Sequence, residues 1–121
     1  MDLSSLNKNQ RLAVETTEGP VMVMAGAGSG KTRVLTYRIA HLILDLGIIP
    51  GNILAVTFTN KAAREMKERI ENLTNEDVRH MWVSTFHSFC ARFLRIELDS
   101  FKGFSKNFTI IDEDDALKII K

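Results

Sequence analysis

Residues 21–35 read VMVMAGAGSGKTRVL, from Val21 to Leu35. Four apolar residues and an alanine run into a glycine-rich turn, Gly30-Lys31-Thr32 follows, and apolar residues then recur at helical spacing. The order strand, glycine turn, helix predicts a strand over Val21–Met24, unbroken in apolar character as a strand covered on both faces is. Glycines at 26, 28 and 30 let the chain turn tightly and bring backbone N–H groups against phosphate oxygens. The positive end of the next helix adds to that attraction. Lys31 then stands where it neutralises β and γ phosphates, and the Thr32 hydroxyl where it binds Mg²⁺. The candidate phosphate cradle is thus Ala25, Gly26, Ala27, Gly28, Ser29, Gly30, Lys31 and Thr32. Ala25 departs from the general pattern, which begins with glycine; alanine suffices there if the strand end needs no positive φ. A cradle alone names no reaction, since kinases, GTPases, transport ATPases and helicases all use one.

Working outward, Asn7 is placed to cap a short helix through KNQRLAVE. After the cradle, Leu35, Ile39, Leu42, Ile43 and Leu46 follow helical spacing until Gly47 and Pro50 end the run. NILAVTF reads as a second buried strand, and Thr59 or Asn60 caps a helix with Ala62, Ala63, Met66, Ile70 and Leu73 inward and a Glu65–Arg69 pair outward. MWVST, with Trp82 in the core, is a third strand. It leads into a helix with Phe86, Phe89, Cys90 and Phe93 inward. NFTIID suggests a last short strand before a helix that starts at Asp112. Strands alternating with helices predict an α/β fold, a parallel sheet with helices on both faces. Ligands in such sheets sit at the carboxyl ends of the strands. Those ends are AGAGSGKT, TFTNKAA and STFHSF.

At 121 residues, with 45% apolar and 26% charged residues, the chain is long enough to bury one core and is not of disordered composition. A formal net charge of +1 offers no strong global field, so a nucleic-acid partner would have to be held by a local groove. One cysteine, Cys90, excludes an internal disulfide. The three scattered histidines, His41, His80 and His87, have no zinc-site spacing. No apolar run reaches the length of a membrane span, and a cytoplasmic protein is expected.

Taken together, LNKNQRLAV, AGAGSGKTRV, AVTFTNKAAREM and STFHSFC stand in the order and spacing of superfamily 1 DNA helicases, and the chain resembles the N-terminal part of the UvrD/PcrA/Rep group. Ala25 is usual in that group. The resemblance implies a P-loop, RecA-like fold, incomplete in this chain. Residues 1–107 would belong to the first motor domain, and 108–121 to the truncated start of an inserted helical subdomain. It implies ATP and Mg²⁺ as cofactors, and single-stranded DNA and duplex junctions as partners, with no membrane. The activity implied is ATP hydrolysis coupled to 3′–5′ translocation and unwinding, in repair or replication. Gln10 matches the glutamine that reads adenine, its amide offering a donor and an acceptor together. Arg33, next to the cradle, is either a nucleotide neighbour or an exposed helix arginine. Thr57, Phe58, Thr59 and Asn60 match the first DNA contact, with Phe58 as a stacking face, the rival reading of Phe58 being a core residue. Ser84, Thr85 and His87 match the second.

FTIIDEDD imitates the metal-binding strand end of such ATPases, but Asp112 as a helix cap with an acidic first turn accounts for its carboxylates. A chain without a metal carboxylate, a water-activating glutamate or arginine fingers is expected to be an inactive fragment whose remaining helicase domains lie elsewhere. The rival readings are a small P-loop kinase, which needs an acceptor pocket and an arginine-bearing lid, and a stand-alone nucleotide-binding module.

Overall fold

The computed structural model describes residues 1–28 and 30–120, and by its own packing the chain divides into two compact units, Met1–Phe86 and His87–Lys121. The first unit holds α1 (Lys8–Glu15), α2 (Lys31–Leu44), β1 (Leu54–Thr57), α3 (Asn60–Thr74) and β2 (Trp82–Thr85). Helix α4 (Phe86–Glu97) starts at its last residue. The second unit continues α4 and adds α5 (Glu113–Ile120).

β1 and β2 pair in parallel, Leu54 opposite Trp82 and Thr57 opposite Thr85. Parallel strands cannot be joined by a hairpin, and α3 is the crossover between them. Its amphipathic repeat explains its place: Ala63, Met66 and Ile70 are buried, while the charged residues between them stay outside. With Ala55, Ile39 and Ile43 of α2, and Val78 and Met81 ahead of β2, Met66 and Ile70 form the larger core cluster. A second cluster, Leu3, Leu6, Ala13, Val14 and Val34, joins α1 and the N-terminal segment to α2.

The caps form where the sequence places them. Asn7 Oδ1 accepts from the Gln10 N–H at 2.9 Å and Gln10 Oε1 from the Asn7 N–H at 3.0 Å, a reciprocal capping box. Thr59 Oγ1 accepts from the Ala62 N–H at 3.1 Å to start α3, and Asp112 Oδ1 accepts from the Asp115 N–H at 2.8 Å to start α5. Gly47, at φ +67°, follows α2 in the left-handed region that an end of this kind requires.

Several expectations need correction. Val21–Met24 is not a strand among the described residues, and all four side chains are exposed; the apolar run is present, but a strand exists only where a neighbour's N–H and C=O groups meet it. The same holds for residues 107–112. Among the described residues the sheet therefore has two strands, with α3 packed on both. The buried stripe of α2 runs through Val34, Ile39, Ala40 and Ile43, while Leu35 and Leu46 are exposed. Glu65 pairs with Lys61 at 3.9 Å, not with Arg69. Trp82 is half-buried, and on α4 Phe89 and Cys90 are half-buried while Phe86 and Phe93 are exposed, so the inward face expected there is met only in part.

In the second unit Leu94, Leu98, Phe101, Phe104 and Phe108 line an apolar cleft of about 460 Å³. The Arg95 guanidinium lies over the Phe108 ring, 4.8 Å from its centre. No helix among the described residues is long and apolar enough to cross a membrane.

Candidate nucleotide and nucleic-acid site

Gly28 and Gly30 adopt φ of +74° and +79°, a region that costs an ordinary L-residue roughly 1–2 kcal/mol. Gly30 is the N-cap of α2, so the first N–H groups of that helix open towards the loop without a capping side chain, the arrangement that binds anions. Gly30 also approaches α1 closely: a Cβ there would lie 3.1 Å from Gln10 Nε2, so a side chain would press on the Gln10 amide. Lys31 and Thr32 follow, exposed on the first turn of α2, and Ala25, Gly26 and Ala27 precede. Ser29 lies outside the described residues.

Gln10 is the third residue of α1. The Asn7 N–H can only donate, so the Gln10 atom that it meets is the amide oxygen; the amide nitrogen is thereby left against Gly30. One cleft of about 460 Å³ is lined by Asn7, Gln10, Ala25, Gly26 and Lys31, with Val23 and Met24 alongside. That volume suits a small organic ligand, and the polar groups lie beside an apolar wall. A hydrogen-bonding amide and a cation share this cleft, as a ligand with a polar base and phosphates requires.

A second cleft of about 280 Å³ brings Lys31 and Thr32 together with Val56 and Thr57 of β1 and Glu65 and Arg69 of α3. The carboxyl end of β1 thus meets the start of α2. Thr57 Oγ1 donates to the Thr59 carbonyl oxygen at 3.0 Å, and Thr59 in turn caps α3. Phe58 lies between these two anchored residues and is 99% exposed. A phenyl ring in solvent at a helix N-terminus, flanked by Thr57, Thr59 and the exposed Asn60, is the reverse of a core residue.

At the β2–α4 junction Ser84 is half-buried, its Oγ donating to the Thr85 carbonyl at 3.2 Å. Thr85 is buried, so its side chain lies inside the fold, while His87 is exposed in the first turn of α4.

Arg33 Nη2 donates to the Ser5 carbonyl at 3.3 Å and its guanidinium lies over the Tyr37 ring, 5.5 Å from the centre. The Ser5 hydroxyl bonded to Tyr37, together with Arg33, holds the Tyr37 phenol below its ordinary pKa. The role of α2's arginines against the N-terminal segment is not legible in the sequence, because they meet backbone carbonyls, which carry no sequence signal.

The residues present suit phosphates: Gly28 and Gly30 are left-handed, and the uncapped N-terminus of α2 and Lys31 follow them. For Mg²⁺ the fit is partial: among the described residues no group of three carboxylate, histidine or cysteine side chains could hold a metal. The Thr32 hydroxyl would supply one ligand to an ion carried in by phosphates.

A family model for the UvrD/REP helicase N-terminal domain matches residues 6–121. Over 119 residues the chain is 56% identical to the ATP-dependent DNA helicase PcrA of Bacillus subtilis (strain 168). Proteins of the same name from Staphylococcus epidermidis and Staphylococcus aureus are equally similar, at 56%. The matched stretch is 98% of this chain and 16% of each relative's length.

Proposed function

Because the chain belongs to the UvrD/REP helicase N-terminal domain family, we propose that it is the nucleotide-binding opening part of an ATP-dependent DNA helicase. In this reading it is the start of a RecA-like, P-loop motor that couples ATP hydrolysis to 3′–5′ movement on single-stranded DNA and to unwinding of duplex junctions. Residues 1–107 belong to that motor domain and 108–121 open a further helical subdomain. The relatives' names, ATP-dependent DNA helicases, support ATP and DNA as ligands.

One observation carries the proposal beyond nucleotide binding. Lys31 and Thr32 share a cleft with Thr57, and the next residue, Phe58, is bare. A small kinase or a stand-alone nucleotide-binding module has no use for a naked aromatic next to a residue that shares a cleft with Lys31. A motor does, because a base stacked on Phe58 and a phosphate at Lys31 then bear on the same short piece of backbone.

Each residue has a definite task. The N–H groups of the cradle and Lys31 bind and orient the phosphates, and Thr32 offers its hydroxyl to Mg²⁺, which supplies charge neutralisation when bound. Gln10 reads the base from α1, and Arg33 steadies α1's approach. Phe58 stacks on bases while Thr57, Thr59 and Asn60 offer polar groups to the DNA backbone. Ser84 and His87 make a second contact, with Thr85 shaping the strand end between them.

Titration with a fluorescent ATP analogue tests the phosphate role. Lys31→Ala should weaken binding at least ten-fold, the charge-assisted contacts being the strong ones. Unchanged affinity in a folded Lys31→Ala variant would remove Lys31 from the site, and the nucleotide reading with it.

A further inference from the structure

Helix α1 has eight residues, about 12 Å of length, and carries Gln10. Along the chain it is joined to the cradle through residues 16–24, which form neither helix nor strand. What holds it on α2 decides where the Gln10 amide stands. The apolar contacts of Val14 and Ala13 resist separation, but they are non-directional and tolerate rotation. A turn of 20° about the axis moves a group roughly 6 Å out by roughly 2 Å, well beyond the few tenths of an ångström that a hydrogen bond tolerates.

Directional ties are present, and they come from one helix. Arg38 Nη1 donates to the Ala13 carbonyl at 2.6 Å and to the Thr16 carbonyl at 2.5 Å. These oxygens belong to the last turn and the C-cap of α1, where carbonyls lack helical partners and a cation is favoured by the helix dipole. The Thr16 N–H and hydroxyl are both committed to the Leu12 carbonyl, so neither can serve Ala13. On the approach to α1, Arg33 donates to the Ser5 carbonyl and Tyr37 Oη lies 3.4 Å from the Ser5 hydroxyl. Arg33, Tyr37 and Arg38 all project from α2, the helix whose N-cap is Gly30.

We propose that Arg38 is a positioning residue for base selection. By closing the C-terminal carbonyls of α1 onto α2, it fixes the Gln10 amide relative to the phosphate cradle. It touches no nucleotide; it sets the register between the part that reads the base and the part that grips the phosphates. This inference rests on the proposed nucleotide site.

The test compares ATP and GTP affinity of the folded chain, by competition against a fluorescent nucleotide, in the wild type, Gln10→Ala, Arg38→Met and Arg38→Lys. The wild type prefers ATP. Arg38→Met lowers that preference about two- to ten-fold, the size of one hydrogen bond, by weakening ATP and leaving GTP unchanged; Arg38→Lys, which keeps a charged donor, restores most of it. A merely structural Arg38 would weaken both nucleotides alike, or lower the melting temperature without moving their ratio. A folded Arg38→Met with the wild-type ratio, when Gln10→Ala has lost it, overturns the positioning role alone. Should Arg38→Met not fold, Arg38→Gln, whose donor is too short to span both carbonyls, carries the same comparison. If the wild type binds both nucleotides equally, base reading by Gln10 falls. If it binds neither, the nucleotide reading itself falls.

Discussion

Phe58→Ala separates stability from function more cleanly than any other change in this chain. The ring is 99% exposed, so truncating it removes almost no buried area, and no hydrogen bond depends on it. The unfolding free energy should move by no more than about 0.5 kcal/mol, as for surface substitutions generally. If the ring stacks on a base, the same truncation removes roughly 1–3 kcal/mol of binding, which is roughly a 5- to 150-fold rise in Kd. The loss should be uniform across sequences, because every base has a π-face. The salt dependence of binding should keep its slope, because no phosphate contact is removed. Urea denaturation of the chain gives the first quantity. Anisotropy of a labelled oligonucleotide gives the second, measured in the longer helicase of which we propose this chain is the start. Nucleotide affinity should not change, since Phe58 lines neither cleft. A folded variant that binds DNA as tightly as the wild type refutes the stacking argument, and a variant destabilised by about 2 kcal/mol or more refutes the exposed placement from which it starts.

Three further outcomes are expected. Ile70 is fully buried in the larger core cluster, and Ile70→Ala should lower the urea-derived stability by about 2–5 kcal/mol through lost transfer energy and a cavity. Gly30→Ala should lose about 1–2 kcal/mol to its left-handed φ and also press on the Gln10 amide, so fluorescent-nucleotide affinity should drop even where the variant folds. The third concerns acid. The N-terminal ammonium and His41 beside Asp45, the Arg79 guanidinium and N–H on Asp77, and the Ser4 N–H on Asp2 each hold a carboxyl below its ordinary pKa. A folded pKa below the unfolded value of about 3.9 means stability that is present above that pH and lost as pH falls through the folded value. The melting temperature should therefore hold between about pH 7 and pH 5 and decline below about pH 4; a melting temperature that rises on acidification would contradict these assignments.

What could be read from the sequence was whatever depends on neighbours along the chain. The caps at Asn7 and Thr59 and the inner face of α3 depend on spacings of three and four residues; the caps formed, and of that face Ala63, Met66 and Ile70 are buried while Ala62 and Leu73 are half-buried. The strands ending at Thr57 and Thr85 were also legible, because each stands between turn signals. Features that depend on distant partners were not. Val21–Met24 has the composition of a strand, but composition does not supply a ladder. On α2 the apolar count favoured Leu35, whereas the packed face includes Thr36 and Ala40, which the count passes over; Thr36 is tolerated inside because its hydroxyl bonds the Thr32 and Arg33 carbonyls. Glu65 had arginine and lysine available four residues away on either side, and spacing alone could not choose. Arg38, 25 residues from Ala13, could not be assigned at all.

The exposed run ahead of the cradle also gives the molecule a chemical gauge. Met22 and Met24 are 87% and 91% exposed, whereas Met66 and Met81 are 4% and 2% exposed. Peroxide reaches thioethers according to access and converts them to polar sulfoxides. Oxidation should mark residues 22 and 24 first and leave the core pair untouched while the fold persists. Met24 lines the same cleft as Gln10 and Lys31, so a ligand seated there would slow the sulfoxidation of Met24 relative to Met22, and a mass spectrum of one peptide would report on occupancy of the cradle.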